Sequence, residues 1–151
     1  MNLKDIKIRK MTDNDIDFII QANKEVHEAS NQTSEINKFR ERIINDILSD
    51  NPKATIIVAE YDNQLIGMAL YSTVYFADDG EILWLSNIFV EKEYRNKSVA
   101  KIIVDYLKQV CKDEGYYAIC GAVEESNENS INFFDSISGK WLNEFKIVVI
   151  K

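Results

Sequence analysis

Proline and glycine are scarce in this chain. One proline and five glycines in 151 residues leave no composition for a flexible linker, and nothing repeats at the periods of roughly 20 to 50 residues that mark solenoids. A single domain spanning residues 1 to 151 is therefore expected, and 46% hydrophobic content is enough to bury a core without disulfide or metal staples. No run of about 18 apolar residues could cross a bilayer, so no membrane association is expected. The opening MNLKDIKIRKMTDND carries charges every few residues where a secretory signal would be apolar, and a cytoplasmic location is expected. Cys111 and Cys120 form no CxxC pair, which argues against a zinc or redox centre and for two buried free thiols; no metal is expected. Basic residues are outnumbered, and a net charge of −7 opposes extended contact with nucleic-acid phosphates. The carboxylate surplus fits either a plain solubilising surface or a mild preference for a cationic partner.

What is present alternates between two periodicities. Ile6 and Ile8 against Lys7 and Arg9 predict a short half-exposed strand over 5–10. Thr12, Asp13, Asn14 and Asp15 read as a capping box ahead of a helix whose face carries Ile16, Ile19, Ile20 and Val26 and which ends near Glu28. Ile36, Phe39, Ile43, Ile44, Ile47 and Leu48 predict a second helix stopped by Asn51 and Pro52. A β-rich meander follows: 55–61, a turn at Asp62 and Asn63, 64–76, a turn at Asp78 to Gly80, and 81–90. Val99, Ile102, Ile103, Tyr106, Leu107 and Val110 mark an amphipathic helix from about 95 to 114, closed by Gly115. Tyr117 to Val123 is then a buried strand pairing parallel to 81–90 through a crossover. A short helix from Asn127 to Ile137 and a last strand from Phe145 to Ile150 complete an α/β mixed sheet, antiparallel first and parallel where the crossover helix sits.

Ligands in such sheets bind where a parallel strand hands over to its helix. Here that junction runs from Val90 into Arg95, Asn96, Lys97, Ser98, Val99, Ala100 and Lys101, which sets first-turn amides beside three basic side chains. This is either an anion site suited to a pyrophosphate or a solvated basic helix start. A generic nucleotide site would need a second phosphate-binding element, and no G-x-x-x-x-G-K-S/T occurs.

On these residues the chain resembles the GNAT N-acetyltransferase superfamily, whose V-x-P-x-x-R/Q-x-x-G-x-G/A segment binds the coenzyme A pyrophosphate. Val90, Arg95 and Ala100 match in register. VEESNENSINFF, from Val123 to Phe134, is similar to a second family segment, V-x-x-x-N-x-x-A/S-x-x-F/L-Y/F, through Asn127, Ser130 and Phe133. TVYFADDGEILWLSNIFV and NENSINFF look most like the diamine acetyltransferase branch. The resemblance implies the GNAT fold with a V-shaped splay between strands 81–90 and 117–123, acetyl-coenzyme A as co-substrate, a small-molecule amine acceptor and a homodimer.

Three departures stand out. Ser98 replaces the usual glycine where backbone should approach phosphate; it is tolerated if φ is negative, and coenzyme binding weakens if φ is positive. Phe134 stands where the family places a tyrosine that protonates the leaving thiolate, and a phenyl ring has no proton to give. Ser86 and Asn87 occupy positions where polyamine enzymes carry carboxylates that engage the amine.

The implied chemistry is direct attack of a neutral amine on the thioester. Backbone N–H groups of Ile88, Phe89 and Val90, at a family bulge, would hold the thioester carbonyl and pantetheine, and Asn127 would contact the pantetheine arm. Glu124 or Glu125 would take the amine's proton, with His27 a further option against an exposed or capping role. Cys120 reads as core. Tyr71, Tyr75, Phe76, Trp84 and Phe89 would line an acceptor pocket, fill the core or cover a dimer interface. An acyl-coenzyme A binding module without turnover is the alternative that Ser98 and Phe134 raise together.

Overall fold

The computed structural model describes residues 1–26, 33–143, 148 and 150. The chain divides into two compact units, Met1–Gly121 and Ala122–Lys151.

In the first unit, strands β1 (Lys7–Lys10), β2 (Thr55–Tyr61), β3 (Gln64–Phe76), β4 (Gly80–Val90) and β5 (Ile119–Gly121) form one five-stranded sheet in the order β1-β2-β3-β4-β5. The first three pairings are antiparallel and β4·β5 is parallel; the turns within 55–90 and the crossover helix predicted those from β2 to β5. The β2–β3 turn has Asp62 at φ 50° and Asn63 at φ 59°, the doubly left-handed geometry that lets a two-residue hairpin keep the strands' twist. At the next turn Gly80 takes φ 80°.

Helices α1 (Ile16–Val26) and α2 (Thr33–Arg42) supply one layer. Ile16, Ile19 and Ile20 pack with Ile43, Ile56, Val58, Met68 and Phe89 in a single buried cluster on that face. The second predicted helix changes pitch: Ile43–Ile47 is a π-turn, which leaves Ile43 fully buried and ends the element before Asn51 and Pro52. Helix α3 (Val99–Glu114) covers the opposite face, burying Val99, Ile103 and Leu107 against β3, β4 and β5. Gly115, at φ 78°, caps it with its N–H on the Cys111 carbonyl. No helix among the described residues is long and apolar enough to cross a membrane.

Three boundaries differ from expectation. The strand predicted over 117–123 is only Ile119–Gly121. The helix predicted from 95 begins at Val99, because left-handed residues at Asn96 and Ser98 cannot continue a right-handed helix. The last strand, Phe145 to Ile150, falls mainly on residues outside those described.

In the second unit, α4 (Glu128–Ser136) is capped by Asn127, whose side-chain oxygen accepts the Ser130 N–H at 3.1 Å. Phe133 and Phe134 meet edge to face at 5.1 Å, and the Trp141 indole N–H donates to Asp135 at 2.7 Å.

Asp15 is the one buried charge among the described residues, 4% exposed. Arg9 donates to it through two nitrogens at 2.7 and 3.0 Å, the Thr12 N–H donates at 2.7 Å, and Arg9 also reaches Glu60 at 3.1 Å. β1, the entry to α1 and β2 are thereby tied at one point. The Arg9 guanidinium, helped by Thr12, holds the Asp15 carboxyl below its ordinary range against the opposing effect of burial. A carboxylate so depressed contributes stability at neutral pH that is lost as pH falls through its folded-state value. Asp15→Asn is expected to cost about 2 to 3 kcal/mol at pH 7. In urea titrations at falling pH, the gap to the parent protein should shrink below about pH 4.

Candidate active site

The first unit presents an open edge of sheet leading into a helix start with unpaired amides. β5 pairs with β4 only over Leu83↔Ile119, Trp84↔Cys120 and Leu85↔Gly121. In the β3·β4 ladder Leu70 opposes Asn87 while Tyr71 opposes Leu85, so Ser86 is an extra residue and the strand bulges there. The bulge therefore lies at Ser86, before the expected Ile88 to Val90, because it coincides with the last β4–β5 pair. It also shifts the phase of the strand: Phe89 joins the cluster under α1, meeting Phe18 edge-on at 6.3 Å. From Ser86 to Val90 the edge of β4 turned away from β3 has no strand partner on β5.

Gly121 sits at the point of separation. A Cβ there would lie 2.7 Å from the Leu85 carbonyl oxygen, a backbone atom that cannot swing aside.

Beyond Val90 the chain makes one 3-10 turn, Lys92–Tyr94, and reaches α3 through left-handed residues at Asn96 (φ 59°) and Ser98 (φ 65°, ψ 10°). Asparagine tolerates that region; serine does so at a cost of about 1 to 2 kcal/mol. Among the described residues, the backbone N–H groups of Asn96, Lys97, Ser98, Val99, Ala100 and Lys101 make no short, well-aligned hydrogen bond across the turn at 95–98, while the Ser98 carbonyl accepts the first helical bond from Ile102 at 3.0 Å. These donors at a helix start suit an anion.

The basic side chains do not gather round them as the sequence suggested. Arg95 turns back, its Nε donating to the Val90 carbonyl at 2.8 Å, with its guanidinium carbon 5.7 Å from the Phe89 ring centre and a terminal nitrogen 3.5 Å from Glu25. Lys101 pairs with Asp105 one turn along the helix, and Lys97 lies 5.6 Å from the Tyr94 ring centre. Opposite charges within reach, in an acidic chain, account for these choices.

The remaining expected residues divide between the units. Asn87 is half-buried on β4, just past the bulge. Glu124 and Glu125 are exposed in the second unit, which also holds Asn127, Ser130, Phe133 and Phe134. His27 lies outside the described residues. The aromatic set does not form one lining: Tyr71 and Phe89 are buried, whereas Tyr75 is 74% exposed. Cys111 is buried and Cys120 half-buried, and burial raises both thiols above their ordinary range. Among the described residues no group of His, Cys, Asp and Glu could hold a metal ion.

Sequence reading passed over Glu25 and Glu91. Burial, with Glu25 and then Glu93 adding to it, raises the Glu91 carboxyl above its ordinary range, and Arg95 opposes that rise. No local motif marks either residue; Glu25 and Arg95 meet only because α1 packs beside the end of β4.

The family model described as acetyltransferase (GNAT) matches residues 17–139, across both units. The chain belongs to this family. It is an acyltransferase, and among its curated relatives are thialysine N-epsilon-acetyltransferases from Sus scrofa, 22% identical over 92% of this chain and 86% of the relative, and from Caenorhabditis elegans, 22% identical over 89% and 83%. A possible acetyltransferase from Clostridium difficile 630 shares the fold with a TM-score of 0.76, at 23% identity over 97% of this chain and 99% of that one. So does the aminoglycoside N-acetyltransferase AAC(6')-Iy in complex with CoA, with a TM-score of 0.75, at 16% identity over 97% and 93%.

Two substitutions test the geometry of this GNAT protein. Gly121→Ala should force β5 from the Leu85 carbonyl and cost about 1 to 3 kcal/mol, read as a lowered Tm. Ser98→Gly relieves the left-handed strain: thermal denaturation should show a gain of about 0.5 to 1 kcal/mol, accompanied by equal or tighter acetyl-coenzyme A binding.

Proposed function

We propose that this protein is an N-acetyltransferase that uses acetyl-coenzyme A to acetylate a small primary amine. The observation that carries the reading is the run of N–H groups from Asn96 to Lys101 without a short, well-aligned acceptor, directly continuous with the unpaired edge of β4. The first suits a pyrophosphate and the second an extended, amide-bearing arm, so together they match the pyrophosphate of coenzyme A and the pantetheine arm joined to it.

When bound, acetyl-coenzyme A supplies an activated acetyl thioester. The protein's own contribution is positioning and hydrogen bonding. Val90 has its carbonyl on the free edge, where Arg95 takes it, and strand alternation puts the backbone groups of Ile88 on the same edge. The Ile88 N–H is placed to hold the thioester oxygen and stabilise the charge that develops there. The N–H groups of residues 96 to 101 hold the pyrophosphate with little help from cationic side chains. For Asn127, Ser130, Phe133 and Phe134, contact with the coenzyme rests on the family resemblance, as do Glu124 or Glu125 as proton acceptor and Asn87 as a group that touches the amine. Phe134 cannot protonate the leaving thiolate, so that proton comes from water.

The thialysine acetyltransferases act, by name, on an amine at the end of a lysine-like side chain, and they support an acceptor of that kind. Ser86 and Asn87 in place of carboxylates argue against a polyamine. One domain over residues 1 to 151, a cytoplasmic location and a homodimer complete the proposal; the match of one family model across both units supports the first.

The test is calorimetric titration with acetyl-coenzyme A, followed by thiol release with thialysine, lysine and spermidine. Binding in the micromolar range, about −8 kcal/mol, with release driven by thialysine or lysine is the expected result. Binding without release on any amine would leave an acyl-coenzyme A binding module, and no binding would overturn the site.

A further inference from the structure

Arg95 occupies an unexpected position for a basic residue beside an anion site. Its Nε is committed to the Val90 carbonyl at 2.8 Å, its guanidinium lies by Phe89, and its outer nitrogen points to Glu25 at 3.5 Å. Glu25 belongs to the last turn of α1, 70 residues earlier in the chain. The same helix touches β4 a second time through Phe18 and Phe89, at 6.3 Å. α1 is thus fastened to the end of β4 by one aromatic contact and one ion pair, and the ion pair is the one that includes the loop leading to the N–H run.

We propose that Glu25 is a positioning residue for the coenzyme: by holding the Arg95 guanidinium against Phe89 and Val90, it keeps residues 95–98 in the conformation that aims the N–H groups of Asn96 to Lys101 at one anion. The inference rests on the acetyl-coenzyme A site proposed above. The geometry supports it in three ways. Arg95 is the residue immediately before the two left-handed positions, so any movement of its side chain is transmitted to the segment that sets the donors. The Val90 carbonyl lies on the edge of β4 turned away from β3, where among the described residues no strand donor competes for it. The Glu91 carboxyl feels both partners, Glu25 adding to its rise and Arg95 opposing it, and of these two carboxylates only Glu25 makes an ion pair with the guanidinium. With Glu25 gone, the guanidinium is free to rotate away from the strand toward solvent, and the loop that it braces loosens.

That loosening gives the test a sign. In Glu25→Gln, the Kd for acetyl-coenzyme A measured by calorimetry should rise about two- to fivefold, the size of an exposed ion pair. KM for acetyl-coenzyme A should rise by the same factor, with kcat changed less than twofold. Arg95→Gln should weaken binding more, and adding Glu25→Gln to it should have no further effect, because Glu25 acts only through Arg95. Glu25→Asp, which keeps the charge, should recover part of the loss. Unchanged or tighter binding in Glu25→Gln would overturn the inference, as would additive losses in the double variant. If the parent protein itself bound no acetyl-coenzyme A, the site would have failed instead. Glu25 is exposed, so these variants should keep the parent Tm within a few degrees.

Discussion

The separation of β5 from β4 after a three-residue pairing is the constraint on which the rest of the site depends. A strand inside a sheet normally pairs along both of its own edges, and an unpaired run of backbone there is costly. Here Ser86 bulges as β5 departs, Gly121 lets the two backbones touch at the point of parting, and Arg95 takes the Val90 carbonyl beyond it. The bulge also turns Phe89 into the core under α1, so the open edge stands on a well-anchored strand.

Electrostatics in this molecule work by local pairing. The net charge is −7, and the cations near the start of α3 have settled on internal partners, Arg95 on Glu25 and Lys101 on Asp105. What is left facing outward is a set of backbone N–H groups and the partial positive charge of a sixteen-residue helix. An anion held in this way is recognised by shape and donor direction, with less dependence on salt than a lysine cluster would show. The same logic appears at Asp15, where one guanidinium and a turn amide satisfy a buried carboxylate and join β1, β2 and α1.

Much of the layout was legible in the chain itself. Alternation and helical spacing located every strand and helix now described, and the two family segments, around Arg95 and Asn127, pointed to the coenzyme before any geometry was known. Amphipathic periodicity is strong in α3 because the helix buries one face on a sheet, and that requirement is written along fifteen or so contiguous residues. The side-chain partners were less legible. Arg95, Lys97 and Lys101 invited a reading as phosphate ligands, since sequence records that they are basic and adjacent but not which way each one turns.

Local order in the sequence therefore determined the elements, their succession and the family, because propensity, hydrophobic period and turn chemistry act over a few residues. Tertiary structure alone decided where β4 and β5 part, that Ser98 sits in the left-handed region, and that Glu25 reaches Arg95. The first and last of these follow from backbones and side chains far apart in the chain being brought within a few ångströms, and no local pattern encodes such a distance.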